Sequence, residues 1–242
     1  MSGTFSNVYD DADRARAYAA LEFPGTYYLA FRDLPALLRR HVSGTRALDF
    51  GCGTGRSTRF LRDLGLGATG VDVSAAMLEQ ARGRDPRGDY RLVADGTLAG
   101  FADGTLDLIL AAFTFDNIPT DGQKLSALRE ARRVLAPDGR LVAVVSSPAI
   151  YLHEWASFST RDYPANRSAR DGDSVRIVML DVPDRRPVVD VVCGDAHYRE
   201  LFAAAGLSVV EAVRPLATGT EPVEWVSETT IPPWTIYVLG AA

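Results

Sequence analysis

The chain is almost without lysine: Lys124 is the only one in 242 residues, and nearly all of its basic side chains are arginines. A catalytic lysine forming a Schiff base is thereby excluded at every position but one. Cysteine is as scarce, with Cys52 and Cys193 alone. Two cysteines in a chain of this size exclude a disulfide framework and point to reduced thiols and a cytoplasmic setting. No apolar run approaches the roughly 18 residues of a membrane span, and Met1-Ser2-Gly3 opens into polar sequence instead of a signal peptide, so no membrane partner is expected. Positive charge is also in deficit. A net charge of -5 with no clustered basic stripe excludes a general nucleic-acid binder, which must neutralise phosphates.

What the chain does carry begins with Ala47-Leu48-Asp49-Phe50-Gly51-Cys52-Gly53-Thr54-Gly55-Arg56-Ser57. An apolar strand runs into a glycine-rich turn and then an amphipathic helix. Residues 68–73 follow as a second apolar strand ending in an acid, Asp72. In an open α/β sheet a carboxylate at that point faces the ribose of a bound nucleoside. The spacing G-x-G-x-G misses the dinucleotide fingerprint G-x-G-x-x-G, because Arg56 stands where the last glycine belongs and its side chain would obstruct a pyrophosphate. Counted from Gly51, the same arginine breaks the P-loop pattern, and no lysine comes before Ser57. The turn is thus shaped for a nucleoside without a phosphate chain.

This stretch resembles the first motif of the class I S-adenosylmethionine-dependent methyltransferases, and the match extends over about residues 46–146. The resemblance implies S-adenosylmethionine as cofactor and S-adenosylhomocysteine as product; no metal is expected, because the sequence lacks the paired-carboxylate pattern of catechol-type relatives. It implies that Gly51, Gly53, Thr54 and Gly55 cradle the amino-acid end of the cofactor, with Asp49 orienting the loop, and that Asp72 holds both ribose hydroxyls. Val73 and Met77 would flank the adenine. Asp95, followed by Gly96 at the end of a third strand over residues 90–96, would accept a hydrogen bond from the adenine amino group. A buried fourth strand over residues 106–113 would lead to the methyl-transfer site at Phe113, and residues 135–141 resemble the family's helix-turn-strand entry. Near the start, Tyr9-Asp10 and Tyr18 resemble the family's tyrosine pattern, which makes Tyr18 a residue capping the cofactor.

Alternating strands and helices predict an α/β fold: a doubly wound, mostly parallel seven-stranded sheet with helices on both faces. By the resemblance, the last strand is antiparallel. One domain over residues 1–242 is expected, since 47% hydrophobic content can bury one good core. Its parts would be an N-terminal helical cap (1–43), a cofactor-binding core (44–146), an acceptor lid inserted after strand five (147–193) and a C-terminal completion of the sheet (194–242). Ser74, Thr120-Asp121 and Asp195 read as helix starts, and residues 175–180 and 188–192 as a β-hairpin in the lid. Long connections at the carboxyl ends of such strands are where acceptor pockets are built.

Methyl transfer requires alignment of two bound molecules, and a general base where the acceptor must lose a proton. His153, Glu154 and Asp116 are the candidates for that base, while Tyr28, Asn117, Tyr151 and Trp155 are candidate acceptor contacts. Each has a plainer reading. Asp116 and Asn117 could cap the helix beginning near Thr120, and His153 with Glu154 could be a surface pair. The aromatic content of cap and lid favours an apolar or aromatic small molecule, or a cation held against rings. After the fourth strand, residues 113–119 lack the Asn/Asp-Pro-Pro-Tyr/Phe signature of relatives that methylate planar amino groups, which disfavours nucleobases and protein glutamine. An O, N or C nucleophile stays open, as do a monomer or a homodimer and a non-methylating, cyclase-like or regulatory role for the same fold.

Overall fold

A computed structural model of the chain describes residues 11–94 and 97–242. Three short helices come first: α1 (Ala12–Ala19), α2 (Gly25–Arg32) and α3 (Leu34–His41). Strands and helices then alternate through β1 (Arg46–Phe50), α4 (Arg56–Asp63), β2 (Gly67–Asp72), α5 (Ala75–Arg84), β3 (Asp89–Leu92), β4 (Leu106–Ala112), α6 (Asp121–Val134) and β5 (Leu135–Ser146). After β5 the chain leaves the sheet for β6 (Phe158–Ser159), β7 (Ser174–Met179) and β8 (Val188–Val191). It returns through α7 (Asp195–Ala204), β9 (Leu207–Val213) and β10 (Trp234–Ala241).

The main sheet has seven strands in the order β3-β2-β1-β4-β5-β10-β9, and β10 runs antiparallel to both of its neighbours. Strand order reverses between β1 and β4, and ligands of open α/β sheets sit in the crevice that opens at such a point. β1 is buried from Ala47 to Phe50 because helices cover both faces of the sheet. On one face Ala47, Leu108 and Val142 pack with Leu34, Leu37 and Leu61; on the other Leu48, Ile109 and Leu141 pack with Ala127, Leu128 and Phe202.

The lid hairpin forms as β7 and β8 and gains β6 as a third antiparallel strand. Cap and lid are tied together by buried polar contacts. Thr26 Oγ1 donates to the fully buried Glu228 at 2.6 Å, the Thr26 N–H donates to Ser157 Oγ at 2.9 Å, and the Trp234 indole donates to the Thr26 carbonyl at 2.8 Å. Arg14, also buried, donates to the Pro187 carbonyl and lies 3.3 Å from Asp184 on the β7–β8 loop.

Three boundaries differ from expectation. The third strand stops at Leu92, short of residue 96, and β5 already begins at Leu135. The N-cap of α7 is Gly194, and Asp195 is instead the first helical residue, accepting the Tyr237 hydroxyl and pairing with Arg199. Among the described residues no helix is long and apolar enough to cross a membrane.

Candidate functional site

The turn from β1 into α4 is held in shape from two sides. Gly51, Gly53 and Gly55 have φ of 74°, 52° and 78°, a region costly for residues with a Cβ. A Cβ on Gly51 would lie 2.4 Å from the Thr114 side chain. At Gly53 it would meet only Met77 Cε at 3.6 Å and Tyr18 Cε1 at 4.0 Å, so this glycine leaves its backbone open to whatever lies between them. Asp49, fully buried on β1, accepts hydrogen bonds from Ser57 Oγ and Thr58 Oγ1 at 2.7 and 2.6 Å, fixing the start of α4 against the strand. Its other oxygen, Oδ1, is buried with no partner among the described residues. Burial pushes the Asp49 carboxyl up to about 6 although the two hydroxyls pull it down.

Asp72 ends β2 beside this turn. One of its oxygens accepts the Gly53 N–H at 2.7 Å and the other the Ser74 N–H at 2.8 Å. A carboxylate oxygen accepts more than one hydrogen bond, so both keep capacity for a ligand hydroxyl. Ser74 caps α5 by accepting from the Met77 N–H, which sets Met77 over the crevice. A cavity of about 380 Å³ opens here, within the usual size range of small-molecule sites, bordered by Gly51, Gly53, Asp72, Val73, Met77 and Phe113 among others. Carboxylate, open glycine backbone and apolar walls form a donor set that fits an adenosyl compound: hydroxyls at Asp72, a flat ring against Val73, Met77 and Val93, and a polar tail at the turn.

Tyr18 borders this cavity as expected, while Asp49, Thr54 and Gly55 stand behind the turn and do not line it. Asp95 and Gly96, like Tyr9-Asp10, lie outside the described residues. Arg56 borders the cavity as well. Its guanidinium is enclosed by the rings of Tyr18, Phe23, Tyr27 and Phe31, 4.8 Å from the Tyr27 centroid, and donates to the Glu22 carbonyl and the Tyr18 hydroxyl. The side chain rivets α1 and α2 to the glycine-loop helix.

A second, smaller cavity of about 40 Å³ shares Tyr18, Phe113 and Asn117 with the first. Phe113 has φ of 62° and is the sole non-glycine residue with positive φ among the described residues, a strained backbone held where β4 leaves the sheet. Asp116, 3% exposed, lines the smaller cavity and accepts from the Ser146 N–H at 2.9 Å and the Tyr198 hydroxyl at 3.2 Å. It does not cap α6, whose cap is Thr120. Burial raises the Asp116 carboxyl above the ordinary carboxylate range. Tyr151 lines the same cavity and donates to Asp190 at 3.1 Å.

Four expected site residues stand elsewhere. His153 is exposed, borders neither cavity and packs edge-on against Trp155. Glu154 is spent on the lid, accepting from Ser159 Oγ and the Thr160 N–H, both at 2.7 Å, and these bonds lower its carboxyl against the opposing effect of burial. Trp155 is a core residue whose indole donates to the Ile150 carbonyl, and Tyr28 points outward while its neighbour Tyr27 lines the smaller cavity. Asp190, Tyr27 and Trp234 went unforeseen. The sequence signal for Asp190 is an acid inside the otherwise apolar run Val188-Val189-Asp190-Val191-Val192.

Residues 48–143 match the methyltransferase domain family model. The demethylmenaquinone methyltransferase of Tropheryma whipplei (strain Twist) is 41% identical over 104 residues, which are 42% of this chain and 41% of the relative. The chain thus spans about two fifths of the length of that relative. A trans-aconitate 2-methyltransferase of Paracidovorax citrulli is 29% identical over 79% of this chain and 70% of its own length. Among solved structures, the CcbJ methyltransferase from Streptomyces caelestis superposes with a TM-score of 0.65 at 19% identity, covering 92% of this chain and all of that one. Streptomyces venezuelae DesVI does so with a TM-score of 0.65 at 18% identity, covering 96% and 99%. These two likenesses establish the fold.

Proposed function

We propose that this chain, a member of the class I S-adenosylmethionine-dependent methyltransferases by its match over residues 48–143, transfers a methyl group to a nucleophilic atom of a small molecule. The observation that carries the reading is Asp72, hydrogen-bonded to the Gly53 N–H where that glycine leaves its backbone open, on a crevice of nucleoside size. When bound there, S-adenosylmethionine would supply an already activated methyl group, leaving S-adenosylhomocysteine.

The protein's share of the work is then alignment, which can account for roughly 7 to 11 kcal/mol of barrier lowering. Asp72 would hold the ribose, Val73 and Met77 the adenine, and Gly53 the amino-acid end. Phe113 and Asn117, on both cavities, would face the acceptor, and Asp116 and Asp190 are the buried carboxyl groups lining the smaller cavity. A role confined to cofactor binding would suit lids packed shut, whereas the second cavity stays open. A net charge of -5 supports a small molecule over a nucleic acid as acceptor, and the two buried free thiols, Cys52 and Cys193, support a reducing, cytoplasmic setting.

Calorimetric titration of the purified chain tests the reading. S-adenosylmethionine and S-adenosylhomocysteine should bind one per chain and a nicotinamide dinucleotide should not; the reverse order of preference sinks it. Label from the methyl group should then appear in a small-molecule product when pools of metabolites are offered.

A further inference from the structure

The smaller cavity has a polar content that its size makes conspicuous. Tyr27, Phe158 and Trp234 give it aromatic walls, and two carboxyl groups, Asp116 and Asp190, face it. Asp116 is engaged at both oxygens, by Ser146 and Tyr198. Asp190, carried by the lid on β8 and 7% exposed, is engaged at only one: Oδ2 accepts from Tyr151, and Oδ1 makes no hydrogen bond among the described residues. A carboxyl oxygen that lines a cavity with no donor from the protein is open to one from a ligand.

One cation stands near the two acids: Lys124, 1% exposed, acts on both through space, with no ion pair to either among the described residues. With both acids ionised, that one ammonium would leave a negative charge unmatched. Burial, and after it the neighbouring Asp116, push the Asp190 carboxyl up to about 8, so the cavity without a ligand keeps a proton there at neutral pH.

We propose that this cavity receives the amino group of the acceptor, a small amine bound as its ammonium against the aromatic wall of Tyr27, Phe158 and Trp234 with a hydrogen bond to Asp190 Oδ1. The proposal rests on the methyltransferase reading and names its substrate class. Aromatic rings attract cations, and an ammonium supplies both a donor to Asp190 Oδ1 and the positive charge that lets Asp190 ionise; a hydroxyl would supply the donor alone. A water needs roughly 10–15 Å³ of such space, so about 40 Å³ admits an amino group with its first carbon or two, and the acceptor's body must lie outside. For transfer, the ammonium gives a proton to the Asp190 carboxylate. The freed nitrogen lone pair forms the N–C bond to the donor methyl as the C–S bond breaks, its electrons staying on sulfur. The product leaves as a methylated ammonium, and the proton on Asp190 passes to solvent.

The test uses the full chain loaded with S-adenosylhomocysteine and titrated at pH 7 with two matched pairs, benzylamine and benzyl alcohol, cyclohexylamine and cyclohexanol, in buffers of differing ionisation enthalpy. Each amine should bind at least tenfold more tightly than its alcohol and release about one proton, because the cation displaces the Asp190 proton. Asp190→Asn should cut the preference to within about twofold and abolish the release. His153→Ala, at a residue bordering neither cavity, should keep both. Alcohols binding as well as amines, no amine binding at all, or a preference that survives Asp190→Asn each overturn the proposal. S-adenosylhomocysteine, titrated first, separates the two readings: if it fails to bind the wild type, the methyltransferase reading fails; if it binds and no amine is preferred, only the amine assignment falls.

Discussion

The crevice beside Asp72 takes its polar contacts from the stretch between Gly51 and Ser74, two strand ends joined by one helix, whereas the chamber around Asp190 gathers side chains from residue 18 to residue 234. Their carboxylates differ accordingly. Asp72 is satisfied by backbone N–H groups of its own βαβ unit, and Asp190 depends on a tyrosine from another part of the lid. A site made by one local motif is robust to change elsewhere in the chain, while a site made by convergence moves whenever cap, lid or sheet does.

Five substitutions would break or sharpen that contrast. Asp72→Ala has the largest expected effect. Losing charge-assisted hydrogen bonds worth roughly 1.5 to 3 kcal/mol should weaken S-adenosylmethionine about ten- to a hundredfold by calorimetry, with little change in amine or alcohol binding. Unchanged affinity in a folded variant would remove Asp72 from the site. Next, Gly53→Ala combines a left-handed backbone cost of about 1–2 kcal/mol with a methyl group facing the cavity, so both melting temperature and cofactor affinity should fall. Gly65→Ala, at φ of 86° with nothing within 4 Å, should lower the melting temperature alone.

Arg56→Met follows. It keeps an apolar stem and loses a cation among four rings, for which about 0.5–2 kcal/mol is expected, or roughly 2–4 °C in thermal unfolding for each kcal/mol. No change in melting would mean that the N-terminal helices dock without it. His153→Ala should do least. An exposed residue bordering neither cavity predicts turnover within about twofold of wild type over pH 6–8, and a lost limb in the pH profile would restore it to the chemistry.

The contrast also explains what could be read in advance. Gly51, Gly53, Gly55 and Asp72 act through backbone conformation and position at a strand end, both of which are written in short-range pattern. The sheet and the lid hairpin were legible for the same reason, and the antiparallel last strand through the family resemblance. Tyr27 and Tyr28 were not separable, because adjacent aromatics in a helix of eight residues leave its rotation undecided until Thr26 is seen bonded to Ser157 and Glu228. His153 looked chemical by residue type, yet the lid turns it outward and uses Glu154 to hold its own turn. Arg56 was judged by the space its side chain would fill, and the rings that claim it lie some thirty positions upstream.

Phe113 gives the two halves of the molecule a common wall. Its backbone is held left-handed between the Thr114 hydroxyl, which donates to the Phe50 carbonyl, and its own N–H, which donates to the Val144 carbonyl. Its ring is set against Tyr27 and Trp234. Position 113 is therefore a bulkhead with two independent controls: glycine would ease the backbone while merging the compartments, and a smaller apolar residue would merge them without easing anything. Under the proposed methyl transfer, an engineer seeking bulkier acceptors would start there, and would find that width was gained at the expense of keeping water from the reacting atoms.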